Sequence, residues 1–190
     1  MVRFNHPVER LVEIINFNNV EFEVVERPDV LWVGSVDYAN NNTDESDWKV
    51  TLERFQDIIK DITDETDTRN LICPDWSAAV SINYSRNDKP SGLLYGNETY
   101  SDKQDKRFDL FTQPGGLWLR VLKDENAVAL LEKEKADNFT SSQILQRVAE
   151  ENGYMENPDI NISVEYNCHA EYNNPPHRNY AYIPIIKKSK

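Results

Sequence analysis

The sequence has few of the residues that hold small secreted folds and metal sites together. It has only two cysteines in 190 residues, Cys73 and Cys168, without CxxC spacing, so we expect both to be reduced. No apolar run approaches the roughly 18 to 20 residues that a membrane helix needs. The N-terminal residues lack the apolar core of a signal peptide. These absences predict a cytoplasmic protein without membrane contact.

The sequence is also short of positive charge. Its 21 lysines and arginines face 33 aspartates and glutamates, which gives a net charge of -12 and a pI near 4.7. Because phosphate binding needs clustered cations, we expect no direct contact with nucleic acid. The sequence has no P-loop, GxGxxG or GxSxG motif, and its three histidines lack metal-ligand spacing. We therefore expect no cofactor and no metal, and no motif identifies a catalytic residue.

The apolar content of 39% and the aromatic content of 11% are sufficient for a packed core. Apolar spacing of three and four residues predicts helices, and alternation predicts strands. The predicted helices are 7–16, 48–62 and 140–152, and the predicted strands are 22–38, 76–85, 92–100, 115–122, 160–168 and 179–186. Residues 124–138 fit either a helix or a distorted strand. The helix at 7–16 has its apolar stripe on Val8, Leu11, Val12 and Ile15.

The order strand–helix–strand–strand occurs twice, and short motifs repeat with it. The motif P-x-x-L-W occurs at Pro28–Trp32 and, 86 residues later, at Pro114–Trp118. Residues 80–85 also resemble residues 162–167, at a spacing of 82. We therefore predict an α+β fold of tandem duplicated βαββ modules. They form one antiparallel sheet with helices on one face and a ligand cleft on the other.

The predicted organisation has two parts. Residues 1–20 form an N-terminal helix or extension, which we interpret as a linker remnant or a dimer contact. Residues 21–190 form the ligand-binding domain, with repeat one at about 22–100 and repeat two at about 114–186.

Strand alternation predicts which side chains face the cleft. Leu117, Leu119 and Val121 are apolar, so we expect them under the helices and Trp118 on the open face. The repeat places Trp32, Gly34 and Tyr38 on the same open face, where the missing side chain of Gly34 makes room for a flat ligand. The alternative, that Trp32 and Trp118 are simply large core residues, stays open.

The same alternation predicts a carboxylate in the cleft. It places Val164 and Tyr166 against the helices and Glu165 and Asn167 in the cleft, with Asn83 as the counterpart of Glu165 in the first repeat. A carboxylate among aromatic rings favours a lipophilic cation, and Tyr38 and Tyr182 are candidate hydroxyl donors to it. The alternative is that Glu165 is a solvated surface residue.

The chain resembles the GyrI-like small-molecule-binding domains, which also form the effector-binding part of bacterial AraC-type and MerR-type transcription regulators. The resemblance spans about residues 22–186. The matching stretches are Glu26–Pro28 through Val33–Gly34, Pro114–Trp118, Glu151–Tyr154, Val164–Tyr166 and Tyr182–Ile185.

The resemblance implies a tandem βαββ fold that binds lipophilic, often cationic compounds in its central cleft. It gives Glu165 the place of a glutamate on the penultimate strand that meets the cation. The usual family motif is closer to Phe-Glu-x-Tyr, whereas here the tyrosine comes one place early. It therefore stays open whether Tyr166 or Asn167 takes part of the cation-binding role of that glutamate.

Three functions follow as hypotheses. The first is a sensor or sequestering protein for lipophilic cationic small molecules, with a separate regulator or a second copy as its protein partner. The second is a hydrolase that opens electrophilic cyclopropane-bearing compounds, with Glu165 as general base for water. Some GyrI-like proteins resemble such hydrolases. The third is an acidic protein–protein interaction module.

Overall fold

The computed structural model describes residues 6–38, 48–63, 65–74, 76–84, 89–136, 141–166 and 180–188. The strands are β1 (Arg10–Phe17), β2 (Val20–Arg27), β3 (Val30–Tyr38), β4 (Ser77–Ile82), β5 (Gly92–Thr99), β6 (Asp109–Gln113), β7 (Gly116–Leu122), β8 (Tyr154–Glu156), β9 (Ile162–Tyr166) and β10 (Tyr180–Lys187). The helices are α1 (Trp48–Lys60), α2 (Glu125–Ala136) and α3 (Ser141–Glu151).

The ten strands of the described residues form one sheet in the order β1-β2-β7-β10-β9-β4-β5-β3-β6, with β8 paired to β10. Every pairing is antiparallel. Each half contributes a strand, its helices and two further strands: β3, α1, β4 and β5, then β7, α2, α3, β9 and β10. The structure therefore confirms the α+β class and the predicted single antiparallel sheet.

Each half also lends its leading strand to the other half. Strand β2 precedes β3 in the chain but pairs with β7, and β6 precedes β7 but pairs with β3. Arg27 lies opposite Gly116 in the first pairing, and Gln113 lies opposite Val30 in the second. A shift of 86 residues, the spacing of the P-x-x-L-W motifs, superposes the two pairings.

The second sequence match, at a spacing of 82, does not follow the sheet. Ala79 lies opposite Tyr95, and Glu165 lies opposite Ala181, so the shift of 86 residues again superposes the pairs. Glu165 is therefore the counterpart of Ala79, and the prediction that it corresponds to Asn83 is wrong. Alternating strands resemble one another at several registers, so a six-residue match did not fix the alignment.

The connection between β2 and β3 requires the sheet to roll up. It consists of Pro28 and Asp29, yet six strand spacings separate β2 from β3, or about 29 Å in a flat sheet. Three Cα steps reach at most about 11 Å. The backbone N–H of Gly115 donates to the carboxylate of Asp29 at 2.7 Å, which ties the two crossing connections together. The sheet therefore has an inner face and an outer face.

The helices pack on the outer face. Helix α1 packs Phe55 and Ile58 against β3 and β5, while α2 and α3 cover Leu119 and Val121 of β7. The predicted position of Leu119 and Val121 beneath the helices is confirmed. The inner face carries a separate cluster that contains no helix residue.

The predicted helix at 7–16 is wrong. Residues 10–17 form β1, which pairs with β2 through a hairpin. Asn18 and Asn19 have φ values of 49° and 64°, which asparagine tolerates better than most residues and which two-residue hairpin loops require. The apolar spacing fits a helix, but the turn residues determine the structure.

The ambiguous segment at 124–138 contains α2, and β6 and β8 were not predicted. Within the described ranges, no helix combines the length and apolar character needed to cross a bilayer.

Candidate functional site

The inner face carries a cluster of buried aromatic side chains. Trp32, Trp118 and Tyr182 all lie there and are 0% exposed, so the predicted pair of tryptophans shares one face. Trp76, Tyr166 and Tyr180 join them. The rings contact one another edge-on or stacked, with centroids 5.0 Å apart for Trp76 and Tyr166 and 5.9 Å for Trp76 and Tyr180.

Charged side chains are buried among these rings. The guanidinium of Arg27 lies 5.8 Å from the ring centroid of Trp118 and 5.4 Å from that of Tyr182. The guanidinium of Arg120 lies 4.8 Å from the ring centroid of Tyr180. These distances are within the range of cation–π attraction. The inner face is therefore built to hold positive charge against aromatic rings.

Glu98 on β5 is the carboxylate at the centre of this network. Its Oε1 accepts hydrogen bonds from Arg27 and, at 2.5 Å, from the Tyr166 hydroxyl. Its Oε2 accepts a bond from Nε2 of His6 at 2.7 Å. Burial raises the pKa of Glu98, but the charge of Arg27 and the bonds from His6 and Tyr166 outweigh burial and lower it to about 2. Glu98 therefore stays ionised.

Two further carboxylates, those of Glu23 and Glu9, bind Arg120. Its Nε donates to Glu23 at 2.6 Å, and its Nη1 donates to Glu9 and, at 3.1 Å, to the Tyr182 hydroxyl. Burial raises the pKa of Tyr182 well above its ordinary value, and the charge of Glu9 raises it further. The tyrosine therefore stays protonated.

The prediction that Glu165 faces the aromatic rings is wrong. Its neighbours across the sheet, Ala79 and Ala181, belong to the outer-face clusters, and its side chain is 37% exposed and 3.1 Å from Lys123. The predicted alternation of apolar and polar side chains along β9 is correct, but the apolar side faces the interior of the rolled sheet and not the helices. Tyr166 therefore points inward.

The family motif explains the difference. In Phe-Glu-x-Tyr the glutamate and the tyrosine are two residues apart and share a face. With Tyr166 on the inner face, the residue two places before it is Val164, which is fully buried and carries no charge. The carboxylates on this face come from Glu98, Glu23 and Glu9 instead.

The remaining predicted contacts lie apart from the rings. A Cβ on Gly34 would lie 2.7 Å from the Cα of Gly96, so its missing side chain makes room for β5 and not for a ligand. Tyr38 is 47% exposed at the end of β3. Asn83 has a φ of 53° and its amide donates to the carbonyl of Pro90 at 3.1 Å. Asn167 lies outside the described residues.

A cavity of about 290 Å³ lies beside the Tyr180 end of the inner face. Its lining residues are Asn19, Val20, Glu21, Glu23, Leu122, Asp124, Asn126 and Tyr180. Tyr180 and Leu122 also pack with the inner aromatic cluster, so the cavity adjoins it. The described lining contains three carboxylates and no Lys or Arg.

Sequence reasoning missed the charged residues of the inner face. Glu98 lies opposite Trp32 across β3 and β5, so a correct strand pairing would have found it. Arg120 is two residues after Trp118 and so shares its face, but its two carboxylates are far away in the sequence: Glu23 lies on β2 and Glu9 precedes β1. Within the described residues, no group of three or more His, Cys, Asp or Glu is placed to hold a metal ion.

Comparisons with known proteins show the fold. No protein-family model matches the chain, and no curated protein matches it. The chain is similar to the crystal structure of the EcmrR C-terminal domain, with a TM-score of 0.52 and 11% identity over 89% of this chain and 99% of that chain. An integron cassette protein from the mobile metagenome of Vibrio cholerae aligns with a TM-score of 0.44 and 12% identity over 88% of this chain and 95% of that chain. At 11% identity the likeness to the EcmrR domain is one of fold alone.

Proposed function

We propose that the chain binds small lipophilic cations in the cavity at the Tyr180 end of the inner face, as a sensor or sequestering module. The observation that supports this function is the cavity itself, which combines an aromatic ring, apolar side chains and three carboxylates without a cation in its described lining. The resemblance to GyrI-like domains agrees with this ligand class.

The carboxylates of the cavity differ in burial and in their contacts. Glu23 accepts a bond from Arg120, and Asp124 accepts a bond from the backbone N–H of Ala127 at 2.9 Å at the start of α2. Their negative charge stays within reach of the cavity. Glu21 is exposed at its edge, so a ligand cation can approach it without breaking the core.

The volume favours a compact ligand. Burying about 150 Å² of apolar ligand surface contributes about 4 kcal/mol before binding costs. Ion pairs from the ligand cation to Glu21 and Asp124 add about 0.4–2 kcal/mol together. These contributions sum to about 4–6 kcal/mol before binding costs, so we expect a weak affinity, with a Kd of about 40 μM or weaker. In this proposal Trp76 and Tyr182 support the Tyr180 ring from behind, and Trp32 and Trp118 do not touch the ligand.

The test compares a cation with an uncharged molecule of the same shape. Isothermal titration with 2-phenylethylammonium and with 2-phenylethanol measures the contribution of charge. We expect the cation to bind the wild type at least five-fold more tightly than the alcohol. The double variant Glu21→Gln, Asp124→Asn keeps the helix cap and should remove most of that preference without weakening the alcohol.

The matched control is Glu165→Gln, which removes a carboxylate on the outer face. It should leave both affinities unchanged. If this variant alone weakens the cation, the ligand lies at Glu165 and the cavity is not the site. Equal binding of the cation and the alcohol by the wild type would remove the proposed selectivity for charge.

A further inference from the structure

The segment His6–Glu9 enters the inner face from outside the sheet. It precedes β1, and its side chains anchor it: those of His6 and Glu9 are 0% and 2% exposed, and Val8 packs against the aromatic cluster. Within the segment, the N–H of Glu9 donates to the carbonyl of His6 at 3.2 Å. The segment is therefore a turn that its side chains hold on the inner face.

His6 occupies a pocket made of a carboxylate and aromatic rings. Nε2 of its imidazole lies 2.7 Å from Glu98, and its ring meets Trp76 edge-on at 5.9 Å. Tyr166 closes the pocket, since its ring lies 5.0 Å from Trp76 and its hydroxyl donates to Glu98. Such a set of groups recognises a planar cation.

The fit of Glu9 is incomplete. Its Oε1 and Nη1 of Arg27 are 3.5 Å apart, and neither has a hydrogen-bond partner among the described residues. The two arginines do not depend on Glu9 alone, because Arg27 also pairs with Glu98 and Arg120 also pairs with Glu23. Departure of the segment therefore leaves each buried guanidinium with one carboxylate.

We propose that His6–Glu9 is a displaceable plug, and that the pocket it fills at Glu98, Trp76 and Tyr166 is a second binding site for a planar organic cation of imidazolium size. The site is separate from the Tyr180 cavity, whose lining includes none of these residues. A ligand that takes the place of His6 keeps the charge on Glu98 paired and releases the segment from the inner face.

The experiment uses the full chain with His6→Ala and imidazole as the probe. At pH 5.5, below the ordinary imidazole pKa of about 6.5, imidazole is mostly a cation. Pyrazole has the same shape and stays uncharged, so it is the control probe. Titration calorimetry should show imidazole binding His6→Ala at least ten-fold more tightly than wild type, with no such gain for pyrazole.

A folded His6→Ala that binds imidazole no better than wild type would overturn the proposal. An equal gain for pyrazole would also overturn it, because the pocket would then be a void without charge selectivity. If the variant does not fold, hydrogen exchange on the wild type tests the proposal instead. Imidazole at 100 mM should accelerate amide exchange of Val8 and Glu9 several-fold but not that of β2, and no acceleration refutes the plug. Failure of 2-phenylethylammonium to bind leaves this test intact.

Discussion

The most informative perturbation of the fold is Glu98→Gln, which keeps the shape of the side chain and removes its charge. The pKa of Glu98 is about 2, against an ordinary value of 4.5, although the side chain is buried. A difference of this size corresponds to about 3 kcal/mol of stability at neutral pH. Breaking a buried pair with Arg27 costs a similar amount, about 3–5 kcal/mol. We expect the variant to lose about 3 kcal/mol in free energy of unfolding.

The pH dependence of the free energy of unfolding distinguishes the loss of charge at Glu98 from a loss of packing. Because the folded pKa is depressed, the contribution of Glu98 is complete above pH 4.5 and disappears as pH falls towards 2. Urea unfolding at a series of pH values should show the gap between wild type and Glu98→Gln narrowing from about 3 kcal/mol at pH 6 to about half that at pH 3. Glu26→Gln, on the surface beside Arg10, should change stability by at most about 0.5 kcal/mol. A gap that stays constant from pH 6 to pH 3, or is below about 1 kcal/mol throughout, would refute the reasoning.

Two further predictions each compare a pair of variants, and the first pair is related by the internal repeat. Nε1 of Trp32 donates to Gln113 at 2.9 Å, whereas Nε1 of Trp118 has no hydrogen-bond partner among the described residues. Trp32→Phe should therefore destabilise by about 1 kcal/mol more than Trp118→Phe in urea unfolding, and equal losses would contradict the assigned bond. Gly34→Ala places a Cβ 2.1 Å from a carbonyl oxygen of β5, so it should abolish folding or lower the free energy of unfolding by more than about 3 kcal/mol. Gly116→Ala meets no atom within 4 Å and is strained only by its φ of 136°, so circular dichroism should show a folded protein with a smaller loss.

Much of the sheet could be predicted because its motifs are local. The P-x-x-L-W repeat relates Trp32 to Trp118 with the register that the sheet has. The faces of β9 could not be predicted in the same way, because both faces of a central strand are covered here. The helices cover the outer face and the rolled sheet encloses the inner one. The apolar side chains of Val164 and Tyr166 are therefore compatible with either face of the sheet.

Other features depend on contacts between distant parts of the chain. The Asn18–Asn19 turn was a local signal for a hairpin that the helical spacing obscured. The role of Glu98 has no local signal, since its partners His6 and Arg27 lie 92 and 71 residues away. Buried ion pairs of this kind follow from the three-dimensional fold and not from spacing in the sequence.

The exchange of leading strands has a consequence for the symmetry of the interior. Two identical half-length chains could make the same exchange across a two-fold axis, each giving its first strand to its partner as an arm. The fold has the topology of two such chains joined end to end, and joining them lets equivalent positions differ. Arg27 and Gln113 occupy such equivalent positions before the two Pro residues, and only one of them carries a charge. A symmetric homodimer would hold two copies of one side chain there, so an interior with Arg27 on one side and Gln113 on the other requires the two halves to be in one chain.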